Sequence, residues 1–593
     1  MIRVKEDISK KLLEILKQLG SLKDDVIVEL PQGTQHGDLT SNVAMQVAKE
    51  LGISPREIAE KIIERFPQVE YLEKIEVAGP GFLNFYLSDS YLLTVLKETL
   101  EEENFKFDIH SGMKYMIEYT DPNPFKILHI GHLYTNMVGE SFARLQEALG
   151  AQVYRANYQG DVGLHVAKTM YGLELLFKEE GISFNDLKER DLVERVEYLG
   201  QAYMLGFNRY DDLKDEDAIC RVKDINYYIF SLYIPSLEKK EYFSELEEIG
   251  MKEWYLEGKE WCLEYFERIY EKTGSKFDYY YLESGMANKG LGLVLENTNP
   301  NGKGIFEEDQ GSVIYRGDES KGLHTRVFVN SEGLPTYEAK ELALAFKKFE
   351  DIGLDESVMI TADEQSGYFK VVLDALSQLS PEVASKSKHF PHGMVKLPGA
   401  EKMSSRKGKI VGGEWLINET QNKVASLMQS SKSWPDNELN EISEKIAIAA
   451  IKYAFLKVSV GKDVVFDFDK SISFDGDTGP YLLYVYARCI SILEGQQGRS
   501  FEAPNLRDSA EIKGLLRAIS KYEDILLVSS SNYSPSTLCS YLFELGQTFN
   551  TFYQNVRVLD SEEKEFLLSV VDATSKVMKD GLSVLGIDVV ERM

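Results

Sequence analysis

The sequence predicts a multidomain α/β protein: a parallel-sheet domain with an inserted helical segment, a small α+β domain before it and an all-α bundle after it. A chain of 593 residues exceeds what one hydrophobic core supports, because domains usually run about 100–200 residues. The short apolar stretch at 113–120 reads as a buried parallel strand, and the helical pattern after it indicates a β-α-β unit. Beyond Trp434, apolar residues recur at the spacing typical of a helical bundle.

Composition and charge narrow the class of protein. No apolar run approaches the ~20 residues that cross a bilayer, and the first residues lack a signal-peptide core, so we expect a cytoplasmic protein without a membrane partner. The four cysteines form no C-x-x-C pair and the eight histidines no H-E-x-x-H, so we expect neither disulfides nor a structural metal. The net charge of −29 argues against a protein that coats nucleic acid, although a local basic stripe could still bind RNA.

Residues 1–88 are predicted to form the small α+β domain. Two helical stretches precede a Gly-Pro-Gly turn and an alternating strand at 82–87. Every second side chain of this strand is apolar and should enter the core. The opposite face carries Asn84 and Tyr86, which are either solvated or able to stack on and hydrogen-bond unpaired bases. The residues alone leave these two interpretations open.

The rest of the chain divides by the same patterns. A strand, a Pro-rich loop, a helix at 129–149 and a further strand begin the parallel-sheet domain. An acidic, aromatic helical stretch interrupts it, and its helical Trp and Tyr spacing favours a core stripe over a cofactor site. The second half returns with strand-like segments at 311–317, 325–329 and 357–362 and a helix from Tyr337. The predicted boundaries are a connecting segment at 89–112, the two halves of the sheet domain at 113–165 and 280–412, the insertion at 166–279, a linker at 413–440 and the bundle at 441–593.

The strongest motif is His129-Ile-Gly-His132 at the predicted helix start. Residues three apart lie on one side of a helix, and a helix N-terminus offers free N–H groups and partial positive charge to an anion. Gly131 has no side chain and permits a flat base to lie against the helix. An isolated H-x-x-H more often has one core and one surface histidine, but the strand–loop–helix setting favours a site where both imidazoles hydrogen-bond a triphosphate.

The second motif is Lys402-Met-Ser-Ser405 in the loop 401–408. Lysines on a Ser/Gly-rich loop can close over a pyrophosphate leaving group and stabilise charge that grows in the transition state. Alone, such a string usually marks a solvated basic loop. Its position downstream of the histidine motif favours a shared nucleotide site.

The paired motifs resemble the signatures of class I aminoacyl-tRNA synthetases, and the flanking sequence resembles the arginyl branch over nearly the whole chain. The matching segments are EYTDPN at 118–123 with Lys126, NYQGD at 157–161 with Gly163, FD at 277–278 with ES at 283–284, GLPTY at 333–337, Gln365, GPYLLYVYAR at 479–488, FNTFY at 549–553, and GDLTSNVAMQVAK with VAGPGFLNFYLS in the N-terminal domain. The resemblance implies a Rossmann-like catalytic domain, an N-terminal domain that touches the tRNA elbow and an anticodon-binding bundle. It implies activation of L-arginine with ATP and Mg²⁺ and transfer to tRNA(Arg), by a protein that we expect to be a monomer.

A guanidinium is a planar fork of donors, so its pocket needs carboxylates and a hydroxyl or aromatic wall. The resemblance implies that Glu283 and Glu341 bind it with Tyr337, and that Asn123 and Gln365 hold the other end of arginine beside Glu118. The implied catalytic residues are Lys126, His129, His132 and Lys402. The implied ATP-binding residues are His129, Gly131, His132, Met394, Lys402, Met403, Ser404 and Ser405. The implied tRNA-binding residues are Asn84, Tyr86, Tyr484 and Arg488.

Two positions depart from the family pattern. Glu341 stands where the family usually has aspartate, and His165 stands where glutamine is common. Three competing interpretations remain: another class I synthetase, a non-catalytic tRNA-binding paralogue and a small nucleotidylyltransferase. The N-terminal domain and the lack of zinc cysteines disfavour the first, the intact motifs the second, and the helical bundle the third.

Overall fold

The computed structural model describes residues 1–31, 36–102, 105–398, 411–431, 434–501, 506 and 509–593. The chain forms two compact units, one of residues 1–107 with 473–593 and the other of residues 108–472. Among the described helices, none has both the length and the apolar character that a membrane span requires.

The N-terminal part of the first unit is a three-stranded antiparallel sheet with helices. Its elements are α1 (Ile2–Gln18), β1 (Leu39–Ser41), α2 (Val43–Leu51), α3 (Pro55–Arg65), β2 (Leu72–Ala78), β3 (Phe82–Leu87) and α4 (Asp89–Glu101). Strand β3 lies between β1 and β2. Leu83, Phe85 and Leu87 are fully buried, which confirms the core face predicted from the alternation.

The second unit carries the parallel sheet and the inserted helices. Its elements are β4 (Lys114–Glu118), α5 (Ile130–Ala148), β5 (Gln152–Gln159), α6 (Leu164–Glu180), α7 (Phe184–Lys188), α8 (Leu192–Phe207), α9 (Glu216–Ser231), α10 (Phe243–Glu248), α11 (Met251–Lys272), β6 (Tyr279–Leu282), α12 (Glu283–Glu296), β7 (Phe306–Asp309), β8 (Ser312–Tyr315), β9 (Arg326–Val329), α13 (Tyr337–Asp351), β10 (Glu356–Ala362), α14 (Ser366–Leu379), α15 (Pro381–Ser385), β11 (Ser387–His392), β12 (Val395–Lys396), α16 (Gly413–Ser431), α17 (Asp436–Leu456), β13 (Val464–Val465) and α18 (Phe468–Ser471).

The central sheet has five parallel strands in the order β11-β10-β4-β5-β6. From β4 the chain runs outward through β5 and β6, and then returns to the other side of β4 with β10 and β11. The strand order therefore reverses between β4 and β10. In open α/β sheets, ligands bind beyond the carboxyl ends of the strands at such a switch point.

Two of the three strand-like segments expected in the second half of this domain lie elsewhere. Residues 311–317 and 325–329 contribute β8 and β9, as strands were predicted there, but these strands form an antiparallel sheet with β7 and do not join the parallel sheet. The physical reason is the two-residue turn before β8, where Gln310 and Gly311 both have positive φ. Such a turn makes a hairpin, whereas parallel strands need a long crossover. The third segment forms β10, as predicted.

The second unit also extends further than the sequence suggests. Helices α16 and α17 occupy the expected linker at 413–440, and the unit ends at residue 472, not near residue 441. Phe455 of α17 packs edge-on against Tyr134 of α5, with ring centroids 5.3 Å apart. Periodicity shows that α17 has an apolar face, but it does not show which neighbour covers that face.

The C-terminal part of the first unit is all helical, as predicted. Its helices are α19 (Gly479–Leu493), α20 (Ala510–Ser520), α21 (Tyr522–Ser531), α22 (Pro535–Asn555) and α23 (Lys564–Val584). Within this unit, Lys513 of α20 forms ion pairs with Glu73 and Asp89 at 2.9 and 2.7 Å. The N-terminal domain and the bundle are therefore joined by charged contacts within one compact unit.

Candidate active site

The histidine motif caps helix α5. The Nδ1 atom of His129 accepts the N–H groups of Gly131 and His132 at 3.1 and 3.4 Å, and Nδ1 of His132 accepts the His129 N–H at 3.3 Å. The rings stack 3.8 Å apart. Because both Nδ1 atoms accept, each neutral ring carries its proton on Nε2. Burial and the nearby Lys126 charge lower the pKa of His129 to about 4, and burial holds the pKa of His132 well below its usual value. Both rings are therefore neutral donors.

Gly131 has a structural role that the sequence did not reveal. A Cβ atom at this position would stand 2.9 Å from Cε1 and from Nδ1 of His129. Such a contact is too short, so a side chain here would push the capping histidine away from the helix. The glycine therefore maintains the histidine cap in addition to leaving room for a base.

The loop between β4 and α5 holds a strained backbone. Thr120, Asp121 and Phe125 have φ angles of 77°, 43° and 69°, which residues with a Cβ rarely adopt. Hydrogen bonds to residues outside the loop maintain this backbone conformation. The Tyr158 N–H donates to Asp121 Oδ1 at 2.7 Å, and the Phe125 N–H donates to the sulfur of Cys262 at 3.2 Å. Strain of this kind concentrates at functional sites, and this loop presents the residues predicted to bind ATP and arginine.

Lys126 lies at the end of this loop, half-buried, with its Nζ 5.1 Å from the Tyr203 ring centroid. Burial and the charge of Lys168 lower its pKa to about 8. Lys126 is thus mostly protonated at neutral pH and can interact with phosphate.

Buried carboxylates surround the carboxyl end of β4. Glu118 forms an ion pair with Lys348 at 2.5 Å, and Glu283 forms one with Lys340. Glu341 is also buried, and burial together with the charge of Glu118 raises its pKa to about 8. Burial and Glu118 likewise raise the pKa of Asp121. Lys348 and Lys340 thus balance Glu118 and Glu283, whereas Glu341 and Asp121 have no lysine ion pair among the described residues. A bound cation would favour the ionised form of these two carboxyl groups.

The pairing of Glu283 with Lys340 changes one expectation. The family resemblance implied that Glu283 binds the guanidinium, and its Oε2 atom already accepts a hydrogen bond from a lysine of this chain. A Cβ at Gly160 would stand 2.1 Å from Asn123 Oδ1 and 3.2 Å from Glu283 Oε1. The absence of a side chain at Gly160 thus leaves room for Asn123 and Glu283. The Glu283 oxygen that faces Gly160 is Oε1, which is not the oxygen bonded to Lys340.

Asp161 is a residue whose role only the structure reveals. Its fully buried carboxylate accepts the N–H and the hydroxyl of Ser284 at 2.8 and 2.7 Å. It also forms an ion pair with Lys259 of α11 at 3.2 Å. Asp161 therefore fixes the first turn of α12, where Glu283 lies, and joins it to the inserted helices.

Two tyrosines, the buried Tyr158 and the half-buried Tyr368, were missed as candidate pocket residues. Burial and the charge of Glu283 hold the pKa of Tyr158 well above its usual value, and burial and Glu341 do the same for Tyr368. Within the described residues the Tyr158 hydroxyl has no hydrogen-bond partner. The sequence offered one signal that could have identified Tyr158 as a pocket residue, namely its position in the NYQGD segment at 157–161.

The remaining predicted residues lie at the same edge of the sheet. Tyr337 begins α13 with a half-exposed ring, and Lys340 Nζ lies 4.5 Å from its centroid. Gln365 is exposed and follows β10. Met394 follows β11, and its N–H donates to Asp463 at 2.8 Å. Two residues earlier, His392 contacts the Thr135 hydroxyl of α5 at 2.6 Å.

The lysine motif, Lys402 to Ser405, lies outside the described residues. The described segment that follows it pairs with the histidine motif: the Ile130 N–H donates to the Val411 carbonyl at 3.1 Å, and the Gly413 N–H donates to the Leu128 carbonyl at 2.8 Å. In the described part of the chain, no group of three or more His, Cys, Asp or Glu side chains is arranged to hold a metal ion.

The predicted tRNA contacts in the first unit differ in accessibility. Asn84 is buried, and its Oδ1 atom accepts a hydrogen bond from the Thr40 hydroxyl at 2.9 Å. We therefore no longer count Asn84 among the residues proposed to contact tRNA. Alternation along a strand cannot show that a short polar side chain is covered. Tyr86 remains partly accessible, with Lys74 Nζ 4.2 Å from its ring centroid.

In the bundle, Arg488 lies between two partly exposed tyrosines. Its guanidinium carbon is 4.5 Å from the Tyr484 ring centroid and 4.7 Å from that of Tyr553. It also donates to Asn550 at 2.7 Å. This arrangement of planar groups suits stacking on unpaired bases.

The sheet switch point and the histidine-capped helix are typical of an α/β nucleotide-binding enzyme. Comparison with known families is more specific. The model of the class I (R) tRNA synthetase catalytic domain matches residues 95–468, that of the arginyl-tRNA synthetase N-terminal domain 3–87, and that of the DALR anticodon binding domain 482–593. The chain therefore belongs to the arginyl family of class I tRNA synthetases.

Individual relatives match over their whole length. The arginine–tRNA ligases of Fusobacterium nucleatum and Crocosphaera subtropica are 28% and 29% identical, with coverage of 99% and 100% of this chain and 98% and 100% of theirs. Among solved structures, Thermus thermophilus arginyl-tRNA synthetase matches with a TM-score of 0.76 at 24% identity, over 99% of this chain and 100% of that one. The Plasmodium falciparum enzyme matches with a TM-score of 0.78 at 21% identity, over 100% and 99%. These structures show the shared fold and confirm the predicted fold class.

Proposed function

We propose that this protein is an arginine–tRNA ligase, which activates L-arginine with ATP and transfers it to the 3′ end of tRNA(Arg). The α-carboxylate of arginine attacks the α-phosphate of ATP, and diphosphate leaves. The tRNA 3′-terminal hydroxyl then displaces AMP from the arginyl-adenylate. One observation carries the proposal: a cluster of buried carboxyl groups, in which Glu341 has no lysine ion pair among the described residues, lies beside a helix N-terminus suited to an anion at the switch point of one sheet.

The nucleotide binds at the start of α5. His129 and His132 donate their Nε2 protons to phosphate oxygens, and the free N–H groups of the first turn add partial positive charge. Lys126 and Lys402 stabilise the departing diphosphate. Gly131, Met394, Met403, Ser404 and Ser405 contact the rest of ATP, and Mg²⁺ enters with the ATP as part of the substrate.

Arginine binds in the acidic cluster. Glu341 is the principal partner of the guanidinium, because it is a buried carboxylate that no lysine of the described residues pairs with, unlike Glu283 and Glu118. Tyr337 and the free oxygen of Glu283 complete the clamp. The other end of arginine is held by Asn123 and Gln365, with Glu118 nearby.

The tRNA binds to the first unit. The N-terminal domain, residues 1–88, contacts the elbow through Tyr86, and the C-terminal helices contact the anticodon through Tyr484 and Arg488. The chain supplies every proposed pocket residue itself, which favours a monomer. None of the four cysteines, all of which belong to the described residues, forms a disulfide, which suits a reducing compartment and supports a cytoplasmic location.

The test is ATP–pyrophosphate exchange with a panel of amino acids, with and without tRNA. We expect exchange with arginine alone among them, and only when tRNA is present, because tRNA binding completes the pocket by induced fit. Exchange with another amino acid would overturn the arginine assignment. Full exchange with arginine in the absence of tRNA would leave the assignment intact and show that the pocket is already formed in the free enzyme.

A further inference from the structure

His165, one of the two departures from the family pattern, forms two hydrogen bonds at the pocket. Its side chain is buried at the start of α6. Nε2 lies 2.7 Å from the carbonyl oxygen of Gly160, and Nδ1 lies 3.3 Å from the hydroxyl of Tyr337. His165 therefore links the backbone next to Asn123 and Glu283 with a proposed guanidinium partner.

The direction of both hydrogen bonds follows from the acceptor at one end. A carbonyl oxygen can only accept, so Nε2 of His165 must carry the proton. A neutral imidazole then has a bare Nδ1, and the Tyr337 hydroxyl must donate to it. Burial, together with the charges of Lys126 and Lys340, holds the pKa of His165 well below its usual value, so the ring stays neutral at neutral pH.

With its proton committed to His165, the Tyr337 hydroxyl can offer only lone pairs to a ligand. Every N–H group of a guanidinium donates, and such an oxygen fits it. A ligand with a carbonyl in place of one of these N–H groups would face two lone pairs and no donor. Citrulline, the neutral urea analogue of arginine, is such a ligand.

We propose that His165 is a positioning residue that makes the Tyr337 hydroxyl an acceptor only, and that this polarity selects arginine over urea and amide analogues. The proposal rests on the proposed function, since it takes Tyr337 as an arginine contact. A glutamine could serve the same purpose, because an amide likewise has a donor and an acceptor.

The surrounding glycine supports the same arrangement. Gly163 has a φ of 122°, which side-chain-bearing residues rarely adopt. A Cβ there would stand 3.5 Å from Nδ1 of His165 and 3.7 Å from the Tyr337 hydroxyl. A larger side chain would therefore enter the space in which the two groups meet.

The experiment measures the arginine KM and the citrulline inhibition constant in tRNA-dependent exchange. His165→Leu should raise the arginine KM about tenfold, the effect of losing one directed hydrogen bond in a partly buried site, while the citrulline constant stays the same or falls. His165→Gln should keep both values within about threefold. His165→Asn keeps the polar ends but is too short to join them, so it should resemble the leucine variant and replaces it if that variant does not fold.

Two controls separate positioning from general structural damage. His110→Leu removes another half-buried histidine, bonded to Gln146 at 2.9 Å, at the opposite end of β4, and should change neither value. In a Tyr337→Phe background, the His165 substitutions should have no further effect. Equal effects with and without the tyrosine hydroxyl, or a glutamine variant as impaired as the leucine one, would overturn the inference. Absence of arginine-dependent exchange in the unmodified protein would instead overturn the proposed function.

Discussion

Lys340 Nζ forms a buried ion pair with Oε2 of Glu283 inside the acidic cluster, so this chain already supplies a cation to one of the two carboxylates expected to bind arginine. Glu341, one residue further along α13, has no such lysine ion pair among the described residues. The two glutamates therefore differ in the charge that they can offer to a substrate.

The first prediction compares their amide variants. Glu341→Gln should raise the arginine KM by roughly 10–100-fold, the scale for a charged hydrogen bond, with little change in melting temperature, because the protonated acid in the empty pocket resembles the amide. Glu283→Gln leaves the buried Lys340 charge uncompensated and should lower the melting temperature by several degrees. Exchange kinetics and thermal unfolding measure both. Equal melting temperatures for the two variants would contradict the view that Glu283 neutralises Lys340 whereas Glu341 is reserved for the substrate.

The second prediction concerns pH. Burial and the charge of Glu118 raise the pKa of Glu341 to about 8 in the empty pocket, while a bound guanidinium favours the ionised form. Below pH 8, arginine binding must therefore displace a proton, and affinity should rise with pH between about 6 and 8 and level off above. Titration calorimetry in buffers of different ionisation enthalpy should detect proton release. Glu341→Gln should remove the pH dependence, and an unchanged slope in that variant would assign it to another group.

The third prediction concerns the lysine motif. If Lys402 stabilises the departing diphosphate, Lys402→Ala should lower the single-turnover activation rate by about 10²–10³-fold, the usual scale for one electrostatic donor. Arginine affinity should change little, because Lys402 is assigned to the nucleotide. Lys388→Ala, which removes an exposed lysine paired with Glu356, serves as the control. An unaltered activation rate would remove Lys402 from the mechanism.

The fourth prediction concerns the buried carboxylate that fixes α12. Asp161→Asn leaves Lys259 as a buried charge without its counter-ion and should destabilise the catalytic unit by about 3–5 kcal/mol. It should also raise the arginine KM, because the first turn of α12 carries Glu283. Ser284→Ala, which removes one hydroxyl from the same carboxylate, should cost only about 1 kcal/mol. If both variants unfold at the wild-type temperature, Asp161 is not the support that its contacts indicate.

The fifth prediction concerns the bundle. Arg488→Ala should raise the tRNA KM about tenfold, since one base-stacking contact is lost, and should leave the arginine KM unchanged at saturating tRNA. Arg499→Ala removes an arginine of the same unit that is paired with Asp572 at 2.9 Å and should leave tRNA binding intact. Aminoacylation at varied tRNA concentration distinguishes them. Similar KM values for both variants would direct the search for the anticodon surface elsewhere.

The sequence by itself determined the elements whose signals are local. The apolar stretch of β4, the helix start at His129 and the buried face of β3 follow from periodicity and from helix-capping chemistry, which act within a few residues. The family could be recognised because its motifs are likewise contiguous. The strand at 311–317 was correctly predicted, but the pattern did not show that it pairs with β7 in a separate antiparallel sheet, because strand pairing is a long-range property.

The tertiary structure decided which charges neutralise one another. Lys340 pairs with Glu283 across 57 residues, and Asp161 pairs with Lys259 across 98 residues. Neither pair has a local signature, since a buried acid can form an ion pair with any of several cations that folding brings near it. The same holds for His165 and Tyr337, separated by 172 residues. Residue types specify what each group can donate or accept, but only the packing of distant segments fixes the partner, and the partner sets the charge and polarity that a substrate meets.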